Sequence, residues 1–155
     1  MASINKAIDV DVPVRTAYDQ WTQFESFPQF MDGVEEVRQL DEKRLHWRAE
    51  VGGKEESWDA EIVEQIPDQR IAWRSTSGAP NGGAVDFHHL DDSRCRITLT
   101  MDYEPQGLTE NVGSALGFDD RKIDGDLKRF KDFVESRQAA TGAYRGKIEG
   151  GEPAG

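Results

Sequence analysis

A single cysteine, Cys95, leaves no partner for an intramolecular disulfide in these 155 residues and rules out a multi-cysteine metal site. Histidine is nearly as scarce: His46 stands alone, and adjacent His88 and His89 would point to opposite faces of a strand, so the three do not make a metal-binding spacing. Basic residues are outnumbered, nineteen against thirty acidic ones, and the formal charge of −11 repels phosphate backbones unless the cations gather on one face. They are scattered, so no nucleic-acid partner is expected. No apolar run approaches the roughly 20 residues of a membrane helix. The opening MASINKAIDVDV lacks both a basic leader and a continuous apolar run, so no export signal is expected and the cytoplasm is the default location.

Two further absences narrow the chemistry. The glycines of SGAPNGGAV fall between strand-like segments with no helix following, which makes a turn and not a phosphate cradle. Ser75, in WRSTSG, has no glycine-flanked nucleophile setting, so covalent hydrolysis is unsupported. Nothing calls for a cofactor or a metal.

What the chain does have is alternation. Ser3 to Val12 places Ile4, Lys6, Ile8 and Val10 on one side, as a half-buried strand would, and Pro13 ends it. Val14, Ala17, Tyr18 and Trp21 then recur at three and four residues, predicting a short helix. A second short helix or turn, FESFPQFM, follows. Segments at strand length cover Val34 to Leu40, Arg44 to Val51, Glu55 to Ile66, Arg70 to Ser75, Ala84 to Leu90 and Arg94 to Tyr103, joined by short turns that imply antiparallel hairpins. After Pro105 and Gly107 the period changes: Ile123, Leu127, Phe130 and Val134 form one side of a long helix, which Leu108, Val112 and Leu116 could extend upstream. Residues 1–140 read as one domain and 141–155 as a glycine-rich tail, partly disordered, whose Tyr144 and Ile148 could fold back or meet another chain.

The fold class is therefore α+β: a curved antiparallel sheet of about seven strands around a long C-terminal helix, with two short helices after the first strand. A strongly curved sheet cannot meet a straight helix everywhere, so an apolar cavity is expected near one end. Its candidate lining is Trp47, Trp58, Trp73, Phe87, Met101 and Tyr103 from the sheet, Phe27 and Phe30 from the short helices, and Leu116 from the long one. The competing reading is that these side chains simply fill the core.

The order of elements resembles the helix-grip fold of the START-like, or SRPBCC, superfamily and its polyketide cyclase/dehydrase and lipid-transport group. The stretches that carry the resemblance are IDVDVPVRTAYDQWTQFESFPQFMDGVEEV, WDAEIVEQIPDQRIAWRS and GDLKRFKDFVESR, within residues 3 to about 138. It implies binding of a lipid, quinone, plant hormone or polyketide intermediate between sheet and helix. Some members catalyse cyclisation or aromatisation there, and others act only as binding or interaction modules.

Three functions follow: a binder of an apolar small molecule, a cyclase/dehydrase acting on a poly-β-keto intermediate, or a protein-interaction module with a filled pocket. Cyclisation needs a proton removed α to a carbonyl and returned to oxygen. Alternation puts His89 on the face of Val85 and Phe87, expected inward with His88 outward, so His89 is the acid/base candidate and Ser75 and Tyr103 its possible partners.

Overall fold

The computed structural model describes residues 2–51, 54–77, 81–103 and 120–154. β1 (Ala2–Val10) runs to the Asp11–Pro13 corner, where Pro13, at φ −58°, leads into α1 (Val14–Trp21). Ala17, Tyr18 and Trp21 are buried on the inner face of α1. Thr22 closes it by donating its hydroxyl to the Asp19 carbonyl, 2.6 Å away. A 3₁₀ helix over Phe24–Gln29 follows. Its three-residue period stacks Phe24 and Phe27 on one side, both buried. Gly33, at φ +83°, then turns the chain into β2; a Cβ there would meet the Glu50 carbonyl at 3.1 Å.

β2 (Val34–Gln39), β3 (Arg44–Val51), β4 (Lys54–Ile66), β5 (Arg70–Ser75), β6 (Asn81–Asp91) and β7 (Arg94–Tyr103) form an antiparallel meander, and β1 closes the order as β1-β7-β6-β5-β4-β3-β2. The registers align the apolar alternations: Ile8 faces Ile97, Trp47 faces Trp58, Ile62 faces Trp73 and Val85 faces Leu99. Against this concave face lies α2 (Asp120–Arg137), whose Ile123, Leu127, Phe130 and Val134 are all buried. Gln138, at φ 55°, ends it in the left-handed region. Leu108, Val112 and Leu116 lie outside the described residues.

Two features of β4 and the tail have local causes. β4 carries a register shift between Ile62 and Glu64, which resets its alternation and turns Gln65 inward. The tail folds back as a strap, one of the two alternatives open for Tyr144 and Ile148. Gln20 exchanges two hydrogen bonds with Thr141, and Thr22 Oγ1 accepts the Tyr144 amide. Arg145 pairs with Asp19 and Asp68 and covers the Tyr18 ring. β8 (Lys147–Glu149) then pairs with β4 at Gln65, past the last β3 partner at Glu61, and β9 (Glu152–Ala154) completes a small hairpin. Fully buried Ile148 is the apolar anchor that offsets the entropy of ordering this segment.

Candidate binding cavity

Where the sheet curves away from α2, a cavity of about 320 Å³ remains. One wall is β3 and β4, with Trp47 and Trp58 stacked at 5.8 Å and 8° between ring planes. β5 adds Trp73, and β7 adds Leu99 and Met101. Trp21, Phe24 and Phe27 close the side toward α1 and the 3₁₀ helix, and Ile123 and Leu127 of α2 form the roof. Gly83 makes room for this arrangement: a Cβ there would lie 2.9 Å from the Trp73 ring and 3.1 Å from Met101 Sδ.

Among the described residues the polar groups on this lining are few. Asp32 and Glu50 are exposed. Glu50 follows Arg48 and His46 on the strand positions opposite Trp47 and Ala49. Asn81, at the start of β6, is buried and gives its amide N–H to Ser75 Oγ at 3.0 Å. On α2, buried Asp126 accepts from Lys122, from Arg129 and from the Asp32 amide. Arg129 also donates to the Phe30 carbonyl at 2.9 Å, tying the helix to the loop before β2. The i,i+4 spacing of Lys122 and Asp126, beside the apolar pair Ile123 and Leu127, is the sequence signal that could have found them.

Of the sequence-predicted lining, Phe27, Trp47, Trp58, Trp73 and Met101 border the cavity. Phe30 and Phe87 do not. Phe30 packs on Phe130 and Phe133, and Phe87 on Tyr18 and Trp21, so both fill the core instead. Leu116 and the Tyr103 side chain lie outside the described residues.

The proposed acid/base cluster is not assembled. His89 has a side chain 60% exposed, 3.8 Å from Asp92, and does not line the cavity. Its parity is inward, opposite Cys95, but β5 pairs with β6 only as far as Arg70 with Asp86, so β6 runs past its neighbour and His89 stays exposed among the described residues. Ser75 pairs with Ala60 near the other end of the sheet. Asn81 and His89 are eight residues apart on β6, roughly 27 Å at the usual strand rise. Ser75, bonded to Asn81, therefore cannot reach His89. The expectation that His89 works with Ser75 in a pocket is corrected accordingly.

Burial pushes the Tyr18 phenol up to about 12 and the Cys95 thiol up to about 11, which keeps both protonated near neutral pH. Neither lines the cavity. His46 is bonded to Asp59 at 2.6 Å, and among the described residues no group of three or more His, Cys, Asp or Glu could hold a metal ion. No helix among them is long and apolar enough to cross a membrane.

Comparison with known proteins gives a consistent set of relatives. Residues 10–132 match the family model described as polyketide cyclase/dehydrase and lipid transport. The strap lies beyond that match. A protein of Streptomyces lincolnensis, described as an uncharacterized 17.2 kDa protein in the melC2-rnhH intergenic region, is 50% identical over 149 residues, 96% of this chain and 99% of that one. Among solved structures, DR_A0006 of Deinococcus radiodurans is 26% identical over 88% of this chain and 99% of its own, with a TM-score of 0.69. The Zhui aromatase/cyclase of Streptomyces sp. R1128 shares the fold at a TM-score of 0.75 and 19% identity, over 92% of this chain and 99% of its own.

Proposed function

We propose, from the premise that this chain belongs to the polyketide cyclase/dehydrase and lipid-transport family, that it binds a compact apolar small molecule in the cavity between sheet and α2. The observation that carries this reading is the cavity itself: about 320 Å³ bordered by four indoles, two phenyl rings and aliphatic side chains. That volume is at the low end of the roughly 300–1,000 Å³ of small-molecule sites. It suits a two- or three-ring system or a short acyl chain better than a long lipid. A well-packed core has few voids larger than a water molecule, and a space of this size supports a ligand site. The test is a fluorescence titration with polycyclic, quinone and acyl ligands, since Trp47, Trp58 and Trp73 would all report occupancy. Saturable quenching by one class supports the reading; a flat response across the panel removes it.

A second reading, a cyclase/dehydrase acting on a poly-β-keto intermediate, draws on the Lys122–Asp126 pair in the cavity wall. A donor and an acceptor beside an apolar space are what proton transfer α to a carbonyl uses. Turnover of a synthetic poly-β-ketone by wild type, abolished in Asp126→Asn, would establish it; binding without turnover leaves the first reading.

A further inference from the structure

The helix α1 has only eight residues, and no side chain caps its N-terminus. A helix this short is marginal by itself, so its place is set by what packs on it. It gives Trp21 to the cavity wall. The neighbours of Trp21 are polar and yet buried: Asp19, Gln20 and Thr22. Buried polar groups need partners, and the strap supplies them. Gln20 Nε2 donates to Thr141 Oγ1 at 3.1 Å while its Oε1 accepts the Thr141 amide at 2.9 Å. Thr22 Oγ1 accepts the Tyr144 amide at 3.0 Å, and Arg145 pairs with Asp19. The same guanidinium reaches Asp68 in the β4–β5 turn at 2.8 Å, so one side chain ties α1 to the sheet. Gly142 lies so close to Gln23 that a Cβ would meet its Oε1 at 2.6 Å. Farther along, fully buried Ile148 pairs with Gln65 of β4, the strand whose Trp58 and Ile62 also border the cavity.

We infer that the strap is the outer clamp of the cavity: docked through Thr141, Tyr144 and Arg145 on the residues that flank Trp21, it holds this indole in the wall, so that strap docking and ligand binding strengthen each other. This rests on the reading of the cavity as a small-molecule site and assigns its control to a segment that lies beyond the family match at residues 10–132. Thr141, Tyr144 and Arg145 are positioning residues, since none of them borders the cavity. Their effect passes through the α1 backbone to Trp21, whose ring then packs on Phe27 and Phe130 at 5.7 and 4.8 Å. Coupling of this kind is reciprocal: whatever factor a docked strap adds to ligand affinity, a bound ligand adds to strap docking.

The experiment combines tryptophan quenching with amide exchange on the full chain, using the tightest binder among 2-ethylnaphthalene, 1,4-naphthoquinone and octanoate. Saturating the wild type with that probe should slow exchange of the Tyr144 amide by about 5-fold or more, the lower end of typical coupling between sites. Arg145→Met together with Ile148→Asp removes both anchors, and loss of Tyr144 protection shows that the strap is undocked. This variant should bind the probe more weakly by the same factor. Ile97→Ala, a buried change away from the cavity lining, serves as the destabilised control and should keep the wild-type affinity. Unchanged Tyr144 exchange at saturation, wild-type affinity in the undocked variant, or an equal loss in Ile97→Ala would each overturn the clamp and leave the cavity reading intact. The Tyr144 measurement needs no variant, so it decides the question even if the double substitution does not fold. If none of the three probes binds the wild type, the cavity reading fails and the clamp falls with it.

Discussion

Trp47 and Trp58 sit directly opposite each other on β3 and β4, with indoles 8° from parallel and ring centroids 5.8 Å apart, and together they form the floor of the cavity. Both are at least nine-tenths buried, and Trp47 is also in contact with Phe27 at 5.6 Å. A cross-strand aromatic pair of this kind stabilises the sheet and shapes the pocket at once.

Trp58→Ala should lower the unfolding free energy by about 3–5 kcal/mol, the usual cost of a large-to-small core change, and enlarge the cavity. Urea denaturation of the variant measures the first effect. A loss below about 1 kcal/mol would mean that the pair contributes little beyond surface coverage.

Gly83 is a tighter constraint than its place in a strand suggests. An added methyl would sit 2.6 Å from the Thr100 carbonyl as well as against the Trp73 ring, and a backbone atom cannot move aside as a side chain can. Gly83→Ala should therefore destabilise by about 1–3 kcal/mol and displace Trp73. Thermal unfolding and the tryptophan emission maximum check the two effects together; an unchanged midpoint with unchanged emission would contradict the contact.

The period-two pattern of the sequence located the sheet well, because each strand has one buried face and a register slip would expose it. Leu45, Trp47 and Ala49, or Cys95, Ile97 and Leu99, need no neighbour to declare their side. His89 shows what that pattern omits. Alternation gave it the parity of Phe87, but exposure depends on where β5 begins, and that is a tertiary fact. Gln65 is the opposite case, turned inward by a shift in β4 that leaves no mark in hydrophobic spacing. The strap was hidden for another reason. The sequence left Tyr144 and Ile148 free to fold back or to meet another chain, because the anchors Arg145 and Ile148 find their partners on α1, in the β4–β5 turn and on β4, all distant in the chain.

Ile148→Ala tests the strap. Ile148 is fully buried, so the change should cost about 2–5 kcal/mol if the segment is docked as found. Amide exchange should then quicken at Tyr144, whose N–H donates to Thr22 Oγ1. A neutral effect on stability would show that the strap adds nothing to the fold.

Cys95 offers a probe of opening. It is fully buried and its thiol is pushed up to about 11, so at pH 8 only about one molecule in a thousand carries the thiolate, and alkylation of the native protein should be slow. Reaction should become complete in denaturant. Rapid native labelling would contradict the packing of β7 against β1.

Acid stability should depend on Glu135. Burial raises its carboxyl, but the Lys131 ammonium and the Asp11 amide more than offset that, and the net direction is below the ordinary value. A carboxyl lowered in the folded state contributes stability that is present above its unfolded value near 4.3 and lost as pH falls through the folded one. Glu135→Gln should accordingly reduce stability at neutral pH and flatten its decline below about pH 4.5. A variant with the wild-type slope through that range would refute the linkage.

The central claim is that the cavity holds an apolar small molecule, and the most direct measurement is native mass spectrometry of the purified protein, followed by organic extraction of whatever is released. The account predicts a stoichiometric adduct, either carried through purification or acquired from an apolar ligand panel, and its loss when Ala49 and Leu127 are replaced by larger residues that close the space. A clean mass with no adduct, before and after exposure to the panel, would contradict it.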